Sequence, residues 1–451
     1  MSEPDTEQSL TTAIGRLWPD LPELVTGDWE AFESAVLDGL RRISLAEAGL
    51  ADAAGDDEAD AAEDELDQAT FALRAVFSPY PAAARRLNQL WSEAMGGVRG
   101  AEPVGPAGSV RNHLYLEVPV FYATDRGPAP VTGERDAGGW YTGDPAAADE
   151  LSFGVIRVSV PERRHRGRLP KPRLWHLGFD PRRFAEIIGV DRMDEPAFAG
   201  DPRLALPPFA GDPRTTDEAD EHDVLLFVHG YNVAFADAAR RAAQLAYDIN
   251  FPGVPMLYSW PSKGVTPGYV ADRENAYASV EHLADFLRLI LGKLGPRRIH
   301  VIAHSMGNHV LVEALHLLTT TQDRRLGQVV MIAPDVPENL FHRRAATFGA
   351  LATRCTVYAS ARDRALKLSA WLSGNPRAGQ GVVQAAPAAT VDTIDTSSLP
   401  GDLLNHSTFA QNPVFLNDIE ALVRLGRPPA QRAGLRSGHE PGGATYWRLD
   451  G

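Results

Sequence analysis

The sequence has little cysteine and no long apolar run. Cys355 is the single cysteine among 451 residues, so the chain cannot form an intramolecular disulfide or a cysteine-rich zinc site. No apolar run approaches the ~20 residues that a membrane-spanning helix needs, so we expect no membrane span. The first ten residues have neither the basic region nor the apolar core of a secretory signal. These absences together favour a globular protein of the reducing cytoplasm.

The net charge of −15 is concentrated near the N-terminus. Residues 1–70 hold 19 acidic residues and three Arg, a charge of −16, whereas the remaining 381 residues hold 41 basic and 40 acidic groups, a charge of +1. Such asymmetry indicates two modules of different composition. Because nucleic acid is itself strongly anionic, the acidic first part argues against a nucleic-acid partner.

The first 95 residues are predicted to be helical, because apolar residues recur there at intervals of three and four. They contain no His and no Cys, and no catalytic constellation occurs among them. A module that binds a protein partner and a helical extension packed on the rest of the chain are both compatible with this pattern. A Gly- and Pro-rich linker is predicted at residues 96–111, a second domain at 112–425 and a C-terminal tail at 426–451.

The second domain is predicted to be an α/β fold with a mostly parallel, doubly wound sheet. Short runs rich in β-branched residues alternate there with amphipathic helical segments. Several of the runs are continuously apolar, as is typical of strands covered by helices on both faces. The predicted strands are residues 118–123, 153–160, 224–229, 255–260, 298–304, 329–334, 356–360 and 390–394.

The strongest chemical signal is the segment IHVIAHSMGNHVLVEAL, in which a predicted strand leads through a small-residue turn into a helix. Residues 303–307 fit the G-x-S-x-G nucleophile pattern with Ala at the first position. A strained turn would hold the Ser305 hydroxyl above the sheet, and the helix N-terminus would direct N–H groups at a developing oxyanion. We therefore predict that Ser305 is a nucleophile; the alternative is an ordinary strand-to-helix turn.

The second signal is HGYN at residues 229–232, which follows an apolar strand. A turn of this kind supplies one oxyanion N–H, and the residue after the nucleophile supplies the other. We assign these two groups to the backbones of Tyr231 and Met306. For His229 we expect a role in orienting the loop rather than a role as a base or metal ligand.

The order of residues along the chain restricts the choice of the acid and the base. In sites of this kind the nucleophile comes first, the acid second and the histidine last. Of the 13 His, only His406 and His439 follow Asp363. His406 precedes aromatic residues and a predicted helix, whereas His439 lies in the predicted tail, so we favour His406 as the base. Asp363 and Asp335 both follow predicted strands; we favour Asp363, which follows the later strand, and keep Asp335 as the alternative.

No cofactor or metal site is predicted. His304 and His309 are five residues apart, which places them ~140° apart on a helix, so they cannot share a metal. No Walker-type loop and no dinucleotide-binding fingerprint occurs in the sequence.

A series of further motifs resembles one family. The segments in question are VFYATDR, VSVP, LLFVHGYN, YSWPSKG, DRENA, AHSMGN, IAPDV, YASARDRALKLS, RAGQ and HSTFAQNPVFLNDI, in this order between residues 118 and 425. Together they look like the DUF900 family of α/β-hydrolases. The resemblance implies an α/β-hydrolase fold and a triad of Ser305, Asp363 and His406, and it leaves the substrate open.

The residues and the resemblance together favour a serine hydrolase that acts on a small-molecule carboxylic ester. An amidase, a peptidase or an acyltransferase would use the same triad. A different alternative is a subunit of a larger assembly, docked on a protein partner through residues 1–95.

Overall fold

The structure is a computed structural model of the chain, and it describes part of the sequence. The described residues are 29–52, 65, 76, 106–111, 115–129, 140–161, 185–204, 221–263, 269–318, 326–381, 391–399, 409–439 and 445–450. The chain divides into two compact units, Met1–Pro103 and Val104–Gly451. In the first unit a helix, α1, spans Trp29–Asp52 and buries Phe32 and Val36. Most of the helical module predicted at residues 1–95 lies outside the described residues.

The second unit alternates strands and helices. Its strands are β1 (Val110–Arg111), β2 (Tyr115–Thr124), β3 (Arg126–Pro128), β4 (Tyr141–Pro145), β5 (Ser152–Pro161), β6 (Ile187–Met193), β7 (Val224–Val228), β8 (Val254–Ser259), β9 (Ile299–His304), β10 (Leu326–Ile332), β11 (Ala352–Ala359), β12 (Val391–Asp395), β13 (Leu435–His439) and β14 (Thr445–Leu449). Its helices are α2 (Glu195–Ala199), α3 (Phe235–Asp248), α4 (Tyr269–Ala278), α5 (Val280–Leu289), α6 (Gly307–Leu318), α7 (Glu338–Leu351), α8 (Arg364–Ser373) and α9 (Pro413–Val423). A π-helical turn at Ile290–Leu294 extends α5, and short 3₁₀ turns lie at Ala378–Gln380, Phe409–Gln411 and Pro429–Gln431.

Twelve of the described strands form one sheet, in the order β13-β14-β12-β11-β10-β9-β7-β8-β2-β5-β6, with β1 paired to β2. From β12 to β2 every neighbouring pair is parallel, whereas β5 and β6 are antiparallel additions at one edge. The chain passes from β7 to β8 on one side and then returns to place β9 on the other side of β7. In open α/β sheets a ligand crevice forms at such a reversal, outside the carboxyl ends of the strands.

The continuous apolar runs reflect burial of both sheet faces. In β7, Val224, Leu226 and Val228 belong to one buried cluster, whereas Leu225 and Phe227 belong to a second cluster on the other face. Successive side chains of a strand point to opposite faces, so a strand covered on both sides has no polar alternation. The first cluster includes residues of α5, α6 and α7, and the second includes residues of α3 and α9. The predicted α/β architecture is therefore confirmed for the part of the second unit that is described.

The C-terminal boundary predicted at residue 425 differs from the structure. Strand β14 pairs in parallel with β12, and β13 pairs antiparallel with β14, so both strands extend the sheet beyond α9. Each of these strands has five residues and a mixture of polar and apolar side chains, so neither shows the β-branched apolar run that predicts a strand. The segment predicted as a tail is a hairpin at the sheet edge.

The single cysteine lies in the interior of the sheet. Cys355 lies in β11, fully buried between Val329 of β10 and Val391 of β12. Burial raises the pKa of its thiol well above the ordinary value.

Among the described helices, none combines the length and the apolar character that a bilayer-spanning helix requires.

A buried ion pair joins the amino ends of β7 and β9. Arg297 donates to Asp223 through Nε at 2.9 Å and Nη2 at 2.6 Å, and both side chains are at most 1% exposed. Burial opposes ionisation of Asp223, but the hydrogen bonds from Arg297 and His300 outweigh it and hold the pKa of this carboxyl below its ordinary value. The pair fixes the two central strands to each other where they begin.

Replacement of Asp223 by Asn should destabilise the second unit strongly, because Arg297 would stay buried without a carboxylate. The expected loss in free energy of unfolding is about 3–5 kcal/mol. Asp392→Asn is the matched control: Asp392 pairs with Arg354 at 2.7 Å, but the two side chains are 25% and 28% exposed. That change should cost about 1 kcal/mol or less. Urea unfolding measures both, and equal losses would contradict the importance of the buried pair.

Candidate active site

Ser305 lies at the junction between β9 and α6 in a strained backbone conformation. Its φ is 50°, a value that residues other than glycine rarely adopt. Its N–H donates to the carbonyl of Ile332 at 2.9 Å, and its own carbonyl accepts from the N–H of Asp335 at 3.1 Å. Strain of this kind costs about 1–3 kcal/mol and persists where the surroundings fix the conformation, often at functional sites. Here the end of β10 fixes it from both sides.

Two glycines allow the turn at residues 303–307, called the elbow below, to touch the loop after β7. A Cβ at Gly307 would lie 2.2 Å from the carbonyl oxygen of His229, and a Cβ at Gly230 would lie 2.8 Å from His304 Nδ1 and 2.9 Å from Ser305 Cβ. Real Cβ atoms do not approach so closely, so neither position accepts a side chain without backbone movement. Residues 303–307 and the HGYN loop therefore form one closely packed structure.

The hydroxyl of Ser305 is buried and has no fixed partner. The residue is 2% exposed, and its Oγ makes no hydrogen bond in the part of the chain that the structure describes. Within the same residues the N–H of Met306 donates to no acceptor. Buried polar groups are normally satisfied, and those that are not often mark a catalytic role. A hydroxyl and an adjacent N–H are thus both available at the elbow.

The HGYN loop that carries Tyr231 is held by hydrogen bonds to the side chains of Asp272 and Ser262. Asp272 Oδ2 accepts from Ser262 Oγ at 2.5 Å and lies 3.4 Å from the N–H of Asn232, while Ser262 Oγ accepts from the N–H of Val233 at 3.2 Å. Asn232 has a positive φ of 59°, a conformation that Asn tolerates better than most residues. These contacts fix the backbone immediately after Tyr231.

His229 is placed to orient this loop. It is 1% exposed, stacks on Trp260 with 5.0 Å between ring centroids, and donates from Nδ1 to the carbonyl of Gly230 at 2.8 Å. Its Nε2 then accepts from Arg126 Nη2 at 3.2 Å. Burial, together with the Arg126 charge, lowers the pKa of His229 to about 3. A neutral imidazole with both nitrogens engaged fits the expected orienting role and no role as a base.

Arg126 supports the candidate site, and the sequence predicts no role for it beyond its place in the VFYATDR motif. It is 1% exposed and donates to Ser259 Oγ at 2.9 Å and to the carbonyls of Ser262 and Val233 at 2.9 and 2.7 Å. Burial lowers its pKa to about 10. The guanidinium thus connects β8 with the loop after β7. The sequence signal was the VFYATDR motif itself, but nothing in it shows that the arginine is buried.

The two candidate carboxylates have different surroundings. Asp335, after β10, accepts from Tyr269 OH at 3.1 Å and from Ser369 Oγ at 2.6 Å, and it lies 3.1 Å from Arg377 Nε. Asp363, after β11, is 4% exposed and caps α8 by accepting from the N–H of Leu366 at 2.9 Å. Asp335 is thus already engaged by three side chains from separate parts of the chain.

The two candidate bases are separated by their place in the chain. His406 lies outside the described residues. His439 ends β13, the fifth strand from β9 in the sheet. Since neighbouring strands are ~4.8 Å apart, this places it roughly 24 Å from the strand that carries the elbow. Strand β13 is therefore far from the strand that leads to Ser305.

His304 and His309 face different neighbours, as expected for packing roles. His304 stacks on Phe409 at 4.5 Å, and the ring of His309 meets the edge of Tyr277 at 4.2 Å. In the described ranges no group of three or more His, Cys, Asp or Glu side chains is placed to hold a metal ion. The expectation that no cofactor is needed stays a prediction.

Comparison with known proteins finds a match to one family over part of the second unit. A family model described as an alpha/beta hydrolase of unknown function, DUF900, matches residues 214–424. Residues 214–424 are thus similar to the DUF900 alpha/beta hydrolases. The DUF900 range runs from just before β7 to the end of α9, so it contains the elbow, the HGYN loop and both carboxylates. The resemblance is confirmed over this range, and the family supports a hydrolase.

One curated relative is an uncharacterized protein of Nostoc sp. strain PCC 7120. It is 29% identical over a segment that covers 22% of this chain and 33% of the relative. The chain thus aligns with about a third of that relative's length.

Replacement of Gly307 by Ala should disrupt the packing between the elbow and the HGYN loop. The added methyl would meet the carbonyl of His229, so the backbone must shift, at a cost of about 1–3 kcal/mol in the free energy of unfolding and with loss of hydrolysis. The control is Gly292→Ala, where a Cβ would have no atom within 4 Å. Thermal unfolding and ester assays of both variants test this. Wild-type behaviour of Gly307→Ala would show that the close approach is unimportant.

Proposed function

We propose that the protein is a serine hydrolase that cleaves carboxylic esters through an acyl-enzyme on Ser305. The observation that carries this proposal is the strained, buried Ser305 at the strand-to-helix junction, with an Oγ that has no other partner among the described residues. Backbone strain at a buried serine whose hydroxyl has no such partner is typical of a nucleophile held in an attacking position.

The proposed oxyanion hole consists of the backbone N–H groups of Tyr231 and Met306. Support for it comes from the close contact between Gly230 and Ser305 Cβ, which brings the two loops together, and from the available N–H of Met306. Such donors stabilise the charge that develops on the carbonyl oxygen when the hydroxyl attacks, and they are most effective where the site is already rigid. The contacts of Asp272 and Ser262 supply that rigidity.

His406 is the proposed general base and Asp363 the residue that orients it. His406 would take the proton of Ser305 during attack and return it to the leaving alcohol; it would then activate the water that releases the acid. Asp363 is favoured over Asp335 because the oxygens of Asp335 already accept from Tyr269 and Ser369, beside Arg377. Strand β11 is the second strand from β9, which separates the acid from the elbow by roughly 10 Å at the backbone.

An ester is proposed over an amide because its alkoxide leaves more readily and needs less help from the acid form of His406. The same groups would serve an amidase, a peptidase or an acyltransferase. Docking on a protein partner through residues 1–95 and a cytoplasmic location stay predictions.

A fluorophosphonate probe should label Ser305, and Ser305→Ala should abolish labelling and reduce ester turnover by roughly 10³-fold or more. Ser373→Ala is the matched control, because its hydroxyl bonds only the backbone of its own helix, to Ser369 at 2.8 Å and Ala370 at 3.4 Å. That variant should label and turn over as the wild type does. Mass spectrometry of the labelled peptide identifies the site. Undiminished labelling of Ser305→Ala would refute the assignment.

Asp363→Asn and Asp335→Asn should separate catalysis from stability. Asn caps helices as well as Asp does, so Asp363→Asn should fold normally. The turnover of Asp363→Asn should fall about 10⁴-fold, because Asn favours the wrong tautomer of the His406 imidazole. Asp335→Asn leaves Arg377 without its carboxylate, so its melting temperature should fall while turnover below that temperature stays substantial. The reverse pattern would make Asp335 the acid.

A further inference from the structure

Helix α8 exposes large apolar side chains to solvent. Trp371 is 78% exposed and Leu368 is 56% exposed, the former the highest value among the large apolar side chains of the described residues. Single exposed apolar residues are common on protein surfaces, but two on one turn of a helix are a patch, and patches tend to mark interaction sites.

The opposite side of α8 is fixed at the carboxyl edge of the sheet. Asp363 caps the helix, Leu366 is 1% exposed, and Ser369 bonds Asp335 at 2.6 Å and Tyr269 at 2.6 Å. Asp335 and Asp363 both follow strands at this edge, so the helix lies across the edge instead of descending along a sheet face. The exposed side of α8 therefore points away from the sheet at the same end as Ser305.

Basic residues share the exposed side of α8 with the apolar pair. Arg364, Lys367, Leu368 and Trp371 are all exposed and are spaced at i, i+3, i+4 and i+7, which places them on one stripe. In the described part of the chain no carboxylate forms an ion pair with Arg364 or Lys367, and the helix contains no acidic residue. The stripe is thus cationic as well as apolar.

A third exposed apolar residue lies near the helix. Val270 is 61% exposed at the start of α4, next to Tyr269, whose hydroxyl bonds Ser369 of α8. The start of α4 and the middle of α8 are therefore neighbours.

We infer that the exposed stripe of α8, formed by Arg364, Lys367, Leu368 and Trp371, docks the protein on a lipid surface that carries anionic headgroups. Interfacial helices combine Lys and Arg with Trp and Leu in this way: the cations bind anionic lipid, and the apolar side chains enter the boundary between headgroup and acyl chain. Tryptophan in particular favours that boundary. A purely acidic protein segment would match the cations but would leave Trp371 and Leu368 uncovered by apolar contact.

Docking in this orientation would bring the edge that holds Ser305 toward the lipid surface. Binding itself does not depend on the proposed ester hydrolysis, because none of the four residues of the stripe is assigned to the reaction. The two proposals can therefore fail separately.

Flotation of the full chain with vesicles tests the inference. The protein should float with vesicles of phosphatidylcholine mixed with phosphatidylglycerol and not with phosphatidylcholine alone. Trp371→Ser combined with Leu368→Ser should weaken flotation about tenfold or more, from the lost apolar burial. Arg364→Glu combined with Lys367→Glu should weaken it to a similar extent, and added salt should weaken wild-type binding.

Three variants serve as controls. Arg427→Glu changes an exposed arginine elsewhere, and Val110→Ser removes an apolar side chain that is 61% exposed outside the stripe; both should float as the wild type does. Ser305→Ala should also float normally, so loss of activity and loss of docking are distinguished. The stripe variants should keep wild-type turnover of a soluble ester such as p-nitrophenyl acetate, which shows that they fold.

Three outcomes would overturn the inference. The first is equal flotation with neutral and anionic vesicles, and the second is undiminished flotation of the stripe variants. The third is that the wild type does not float. If the wild type is then a dimer in gel filtration and the Trp371 and Leu368 changes dissociate it, the stripe binds a second copy of the chain.

Discussion

The close contact between the β9 elbow and the loop after β7 is the constraint on which the candidate site depends. Gly307 lies against the carbonyl of His229, and Gly230 lies against His304 and Ser305. The two loops can approach so closely only because β7 and β9 are adjacent and parallel, and both end at the same edge. Sheet order, glycine position and the strained φ of Ser305 are therefore parts of one arrangement.

Buried polar side chains hold the loop after β7 in its position against the elbow. Arg126, the first residue of β3, donates to β8 and to the loop after β7. Asp272 of α4 accepts from Asn232 on the loop after β7 and from Ser262 on the loop after β8. A buried guanidinium is unfavourable unless its donors are satisfied, and here five acceptors surround it. Such a network adds little net stability, but its geometry permits few alternatives, which is what a loop that presents N–H groups requires.

The sequence predicted the parts of the fold that leave a local pattern. All eight predicted strands occur, because runs such as VLLFV in β7 are buried on both faces and show it in composition. Strands β13 and β14 were missed, since their short, mixed sequences carry no such pattern. The elbow was predicted from five residues, but the network of Arg126 was not, because contacts between residues more than 100 positions apart leave no periodicity in the chain. The engagement of Asp335 by Arg377 and Tyr269 likewise depends on folding of distant segments.

The single cysteine gives the domain a native reporter of opening. Cys355 lies in the interior of the sheet with β10 on one side and β12 on the other, and burial keeps its thiol protonated and therefore unreactive. A thiol reagent can modify it only in molecules whose sheet has separated at β11. The rate of modification in the native protein thus follows the fraction of molecules open at that strand, without introduction of any label or mutation.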